Sequence, residues 1–190
     1  MQNKLTSEAV TPKIKEKNRV AKLQAELNME MDVSKESGFT LSDYKTVMAN
    51  NASDKNNIFK DNAETFYNME KKYNINGIFL ASIAIHESGW GTSAIANDKH
   101  NLFGYGSYDA TPYESSFEFE DYANGIETVA KALVKYYLNP SGTKIYDDEF
   151  ASAWYYNGPT LAGVNTRYAS DELWHEKVYN YMEMLYNRLK

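Results

Sequence analysis

Residues 75–91 read Ile75-Asn76-Gly77-Ile78-Phe79-Leu80-Ala81-Ser82-Ile83-Ala84-Ile85-His86-Glu87-Ser88-Gly89-Trp90-Gly91. The apolar run from Ile75 to Ile85 is too short to span a bilayer and has the length of a buried helix of about three turns. Gly89 and Gly91 mark the place where that helix stops. Glu87 then falls in the last turn, where the negative end of the helix dipole opposes a second negative charge. A partly buried carboxyl there, beside an indole, is expected to have a raised pKa. A carboxyl that keeps its proton towards neutral pH is suited to general acid catalysis. Glu at a helix end is more often a solvated charge. Here the apolar helix before it and the Gly-Trp-Gly after it favour a cleft wall, because glycine allows close backbone approach.

Composition narrows the remaining choices. A chain of 190 residues with 43% hydrophobic content can bury one core of ordinary size. No stretch approaches 18 consecutive apolar residues, so no transmembrane helix is expected. The first residues, Met-Gln-Asn-Lys-Leu-Thr-Ser-Glu, carry no apolar signal core. Export would therefore use another route, or the natural N-terminus lies upstream. Cysteine is absent, and His86, His100 and His175 do not share a zinc-protease spacing, so no metal or other cofactor is expected. A net charge of −6 argues against nucleic acid as a partner. Sixteen Tyr and three Trp supply rings that stack on apolar sugar faces as readily as they fill a core.

Along the chain, residues 1–12, with Pro12, read as loosely ordered. Residues 13–32 read as an amphipathic helix with Val20, Leu23, Leu27 and Met31 in one stripe. That stripe packs on the domain, on a second copy or on a neighbouring module. A linker turns at Gly38, and a short helix carries Leu41, Tyr44 and Val47. Ile58 to Tyr73 reads as a helix, as do Ile126 to Leu138 and Leu173 to Leu189. A short helix is expected near Asp147–Tyr155. Residues 97–124 are rich in Gly and aromatics, and Phe117-Glu-Phe-Glu120 alternates like a strand. The expected class is α+β, mainly α, with a small β-hairpin lobe flanking a cleft.

Ala84-Ile-His-Glu-Ser-Gly-Trp-Gly-Thr-Ser93 resembles the catalytic-helix signature of bacterial N-acetylglucosaminidases of glycoside hydrolase family 73. Asn101-Leu-Phe-Gly104, Tyr136-Tyr-Leu-Asn-Pro140, Tyr156-Asn-Gly-Pro159 and Arg167-Tyr-Ala-Ser-Asp171 resemble later motifs of that family, in the expected order. The resemblance covers about residues 36–190, with 1–35 outside it. It implies a lysozyme-like fold and hydrolysis of the β-1,4 bond between N-acetylglucosamine and N-acetylmuramic acid in peptidoglycan glycan strands. It further implies Glu87 as general acid and Tyr168 as a cleft residue that assists catalysis or positions the acetamido group.

Glycosidases usually pair the acid with a second carboxylate. The resemblance puts that partner in the β lobe, which offers Asp109, Glu114, Glu118 and Glu120. Glu114, just before the candidate strand, is the first candidate and Glu118 the second; Asp109 and Glu120 read as solvated lobe charges. The substrate's own acetamido group is the alternative. Trp90, Phe103, Tyr105, Trp154 and Tyr156 are candidate sugar platforms, and Trp90 and Phe103 read equally well as supports under the catalytic helix. Asn101 and Asn157 either bond the sugar or fix turns. His86 reads as structural, because adjacent helix residues do not face each other. The rival readings are a lytic transglycosylase and a non-catalytic wall-binding or virion module. The place of action is the bacterial wall, from outside the cell or from a phage particle.

Overall fold

A computed structural model describes residues 2–107 and 111–190, with side chains from residue 11 onward. Ten α-helices occur among them: α1 (Gln2–Glu26), α2 (Leu41–Met48), α3 (Ile58–Asp61), α4 (Ala63–Tyr73), α5 (Gly77–Ser88), α6 (Ala94–Lys99), α7 (Pro112–Ser115), α8 (Tyr122–Tyr136), α9 (Leu161–Tyr168) and α10 (Trp174–Tyr186).

The quoted stretch forms α5, and every residue from Gly77 to Ile85 is buried. Such a helix owes its stability to packing on all sides. α4 and α10 pack against it, α2 and α8 flank α4, and α9 lies on α10. Each fully buried Ile, Leu or Phe contributes about 1.5–3 kcal/mol through removal from water. Asn76 opens α5: its Oδ1 accepts from the Phe79 amide at 2.9 Å. Thr40 and Asp43 form a capping box on α2, and Ser93, Asp121 and Thr160 cap α6, α8 and α9.

Glu70 is a buried clamp on this assembly. Its Oε2 accepts from the Ser37 amide at 2.9 Å, the Tyr44 hydroxyl at 2.8 Å and the Gly77 amide at 2.9 Å. One carboxylate thus joins the Gly38 turn, α2, α4 and the first residue of α5. A negative charge at that helix start is also favoured by the helix dipole. Gly77 has to be glycine for space: a Cβ there would lie 2.2 Å from the Tyr44 hydroxyl and 2.8 Å from the Phe66 carbonyl.

Several expectations need correction. The β-hairpin lobe is absent: residues 97–124 fold as short helices joined by turns, and the described residues contain only an isolated bridge, Lys144 to Phe150. Phe117-Glu-Phe-Glu120 is extended but unpaired as a ladder. The Phe117 amide bonds to Tyr105 O and the Phe119 amide to Lys99 O, two separate segments. Only Phe119 of the four is buried; Phe117 is 56% exposed, and Glu118 and Glu120 stand in solvent.

The loosely ordered residues 1–12 are helical from Gln2 through Pro12. The helix is anchored further on by buried Val20 and Leu23 and by the Arg19–Asp43 ion pair at 2.9 Å, and helix-forming Lys and Glu extend it outward. It stops at Glu26 rather than residue 32, because Asn28 forms a local turn by accepting from the Glu30 amide. The Ile58–Tyr73 helix is broken at Asn62 into α3 and α4. The expected helix at Asp147–Tyr155 is a single 3₁₀ turn, Tyr146–Asp148, followed by irregular chain and a turn at Trp154 and Tyr155.

Candidate active site

Glu87 lies one residue before the end of α5. The helix ends in a Schellman-type turn: Gly89 takes the left-handed conformation at φ 56° and the Trp90 amide bonds to Ile85 O at 3.1 Å. Trp90 and Gly91 continue with φ 60° and 72°. Three successive left-handed residues fold the chain tightly back over Ile58. A Cβ on Gly91 would come within 2.7 Å of the Ile58 Cδ1 atom. Trp90, strained in this conformation, is held by edge contacts with Phe59 at 5.3 Å and Tyr181 at 6.5 Å. It is a core support, and it is not the indole beside the acid.

That indole belongs to Trp174, at the start of α10. Its Nε1–H donates to Glu87 Oε1 at 2.7 Å, and the ring is almost fully buried. Trp174 lies against Tyr168, the last residue of α9, with ring centroids 4.8 Å apart. Glu87 is reached by solvent from the open side of the cleft, while the walls crowd its other sides. Burial therefore raises its pKa, and the Trp174 hydrogen bond and the nearby His86 partly offset the rise. Tyr168 is raised well above the usual tyrosine range, by burial first and by Glu87 next, so its hydroxyl keeps its proton.

These groups line one cavity of about 490 Å³. Phe103, Tyr105, Tyr137 and Tyr168 supply its aromatic lining, and His86 and Asp171 line it together with Glu87. Asp171 is the electrostatic opposite of Glu87. Lys177 and the Leu173 amide hold its carboxyl below the usual range, so it stays ionised. Buried Asn165 fixes this segment, donating to Asp171 O at 2.9 Å and accepting from the His175 amide at 3.1 Å. One cavity thus holds a carboxyl pushed towards the acid form and another pushed towards the anion. A second hollow, about 770 Å³ between α2 and the chain's last residues, is lined by Lys45, Arg188 and small polar groups. No carboxyl or aromatic ring lines it, so it offers none of this acid–base chemistry.

Of the residues singled out from the sequence, Glu87, Phe103, Tyr105 and Tyr168 share the cavity. Glu114, on α7, and Glu118 are exposed and do not line it, and Asp109 lies outside the described residues. Asn101 is buried and fully engaged: it donates to Tyr105 O and Phe117 O and accepts from the Phe103 and Tyr105 amides. It shapes the Phe103–Tyr105 turn and has no free valence for a sugar. Trp154, Tyr156 and Asn157 stand outside the cavity lining. Sequence reasoning missed Trp174, Tyr137, His86 and Asp171 as cavity residues. Tyr137 sits on the Val129–Leu133 stripe and so reads as core. Trp174 follows the Tyr168 motif closely, but nothing local reveals that its N–H reaches a helix end 87 residues away.

The arrangement is that of a glycan-cleaving domain: a mainly helical frame, a buried helix delivering one acid, and a cleft walled by aromatic rings. Residues 63–187 match the glucosaminidase family, described as mannosyl-glycoprotein endo-beta-N-acetylglucosaminidase. The chain belongs to this family, glycoside hydrolase family 73. It is 34% identical over 134 residues to a Streptococcus pneumoniae (TIGR4) protein named endo-beta-N-acetylglucosaminidase, covering 70% of this chain and 18% of that protein. A Bacillus subtilis (strain 168) beta-N-acetylglucosaminidase is 31% identical over 147 residues, covering 70% of this chain and 16% of the relative. The chain thus spans less than a fifth of these relatives. Among solved structures, a catalytic mutant of Staphylococcus aureus autolysin E in complex with the disaccharide NAG-NAM superposes with a TM-score of 0.57. That match has 22% identity and covers 90% of this chain and 78% of the other. The same autolysin in complex with the muropeptide NAM-L-Ala-D-iGlu gives a TM-score of 0.55 at 22% identity, covering 90% and 77%. At that identity the likeness concerns the fold, which is lysozyme-like and helical. No helix among the described residues is long and apolar enough to cross a membrane.

Proposed function

We propose that this domain is a peptidoglycan hydrolase that cleaves the β-1,4 bond on the reducing side of N-acetylglucosamine, acting on the bacterial cell wall. The observation that carries the reading is Glu87: a carboxyl with a raised pKa, at the end of the buried helix, inside an aromatic-walled cleft. Its proton passes to the leaving glycosidic oxygen, and Trp174 fixes the carboxyl and steadies the anion left behind. Tyr168 stays protonated beside Glu87 and is suited to donate to the acetamido group. Tyr105 offers a sugar-facing ring, and Phe103, nearly buried, backs the cavity wall. Autolysin E, bound in its crystals to NAG-NAM and to a muropeptide, supports peptidoglycan as the substrate class. The catalytic segment is 36–190, and Val20, Leu23 and Val33 from the preceding segment complete its core. The exposed part of α1 within residues 13–32 is the attachment point for a neighbouring module or a second copy.

The position of Glu114 and Glu118 outside the cavity favours a particular second half of the reaction. The substrate's acetamido oxygen meets the positive charge developing at the anomeric carbon, and ionised Asp171 supports that charge from the cavity wall.

Mass spectrometry of purified peptidoglycan digested by the wild-type chain and by Glu87→Gln tests the reading. Fragments with reducing-end N-acetylglucosamine are expected, reduced by about 10²–10⁴-fold in the variant. Anhydromuramic ends would reassign the chain as a lytic transglycosylase. No fragments from folded protein on several wall types would leave a binding module.

A further inference from the structure

Outside the cavity the structure carries an exposed ring that the reaction does not use. Trp154 is 71% exposed and stacks nearly parallel on Tyr136, with centroids 5.0 Å apart and planes 21° from each other. Tyr136 covers one indole face and leaves the other open. The backbone is built to hold it there. Ala153, a non-glycine residue, takes the left-handed conformation at φ 55°. The Ser152 and Ala153 amides bond to Lys135 O, and the Tyr155 amide to Tyr136 O at 2.9 Å. These bonds satisfy carbonyls at the C-terminal end of α8 and clamp the loop onto it. The anchoring holds a non-glycine residue in a strained conformation and fixes the indole in solvent at one position, which is the pre-set geometry a stacking site needs.

The ring is joined to the cavity. Tyr155 contacts Tyr136 at 6.4 Å and Tyr137 at 5.0 Å, and Tyr137 contacts Tyr168 at 5.7 Å. Tyr137 and Tyr168 line the cavity with Glu87. Tyr105, which also lines the cavity, has its pKa raised by burial first and then by its neighbours Tyr136 and Tyr155.

We propose that Trp154, stacked on Tyr136, is a distal platform that receives the glycan strand where it leaves the cavity. It gives the domain a preference for long strands over fragments short enough to fit inside. The occupant is a sugar ring presenting its C–H face, held without charge, in keeping with the exposed indole face and the net charge of −6. The inference rests on the glycan-hydrolase reading above and concerns the reach of the same site.

The test compares wild type, Trp154→Ala and Trp154→Phe on peptide-free glycan strands and on a tetrasaccharide of the same repeat. The ratio of kcat/KM on strands to that on the tetrasaccharide should fall about three- to tenfold in Trp154→Ala, through KM, and recover in part in Trp154→Phe. An equal fall on both substrates, or none on strands, overturns the platform. A binding arm uses the Glu87→Gln protein and acrylamide quenching. Trp90 and Trp174 are buried, so Trp154 supplies the quenchable emission. Strands should protect it and the tetrasaccharide should not; protection by neither, or by both alike, overturns the proposal. If wild type releases no fragments, the hydrolase reading fails on its own, and the quenching arm still decides the platform.

Discussion

Trp174 tunes the acid as well as placing it. Its N–H favours the Glu87 carboxylate and so lowers a pKa that burial raises. Trp174→Phe keeps an aromatic ring against Tyr168 and removes the donor, at the cost of some buried volume. The Glu87 pKa then rises further, and the protonated form persists to higher pH. The basic limb of the kcat/KM–pH profile should therefore move upward, with the acidic limb unmoved by Glu87. A basic limb that stays fixed would show that another group sets it. Asp171 answers to the opposite sign. It is ionised above its lowered pKa, and Lys177 helps keep it so. Lys177→Met should raise the Asp171 pKa and move the acidic limb upward if the Asp171 anion takes part, which the same profile reads.

At the scale of elements, the site depends on where α5 begins. Glu70 joins three donors at that start, and Glu70→Ala leaves the Tyr44 hydroxyl and two amides buried without a partner. Each such group costs about 1–3 kcal/mol, so a loss of at least about 3 kcal/mol is expected in denaturant unfolding. Gly77→Ala forces Tyr44 aside and should cost about 1–3 kcal/mol. It should also lower activity more than a surface mutation of equal stability cost, because α5 carries Glu87 at its other end. α5 is also the element most legible in the sequence. An unbroken apolar run with Asn before it and Gly after it has few other solutions. The strand reading of Phe117–Glu120 failed because the segment's two backbone bonds go to separate segments, at Tyr105 and Lys99, and only Phe119 is buried, so the alternating pattern reflects no ladder. Glu87 could be read from local sequence alone. Trp174 and Asp171 could not, since they join Glu87 in one cavity through the packing of α10 on α5 and of α9 on α10.

For the whole molecule, the question is how much of the chain the fold needs. Residues 11–18 are exposed along α1, while Val20, Leu23 and Val33 enter the common core. Removing residues 1–15 should leave the melting temperature within about 2 °C of the full chain, the scale of a surface change. Removing 1–35 deletes three core side chains worth about 1.5–3 kcal/mol each and should abolish cooperative unfolding in calorimetry. The position of α5 at the centre has a further consequence on heating. Its amides can meet solvent only when the whole domain opens, whereas the loops bearing Tyr105, Trp154 and Asp171 can loosen by themselves. Hydrogen exchange should therefore find the acid's helix among the last segments to label. As temperature climbs, the aromatic walls of the cavity should slacken first, while Glu87 keeps its place until the entire fold melts.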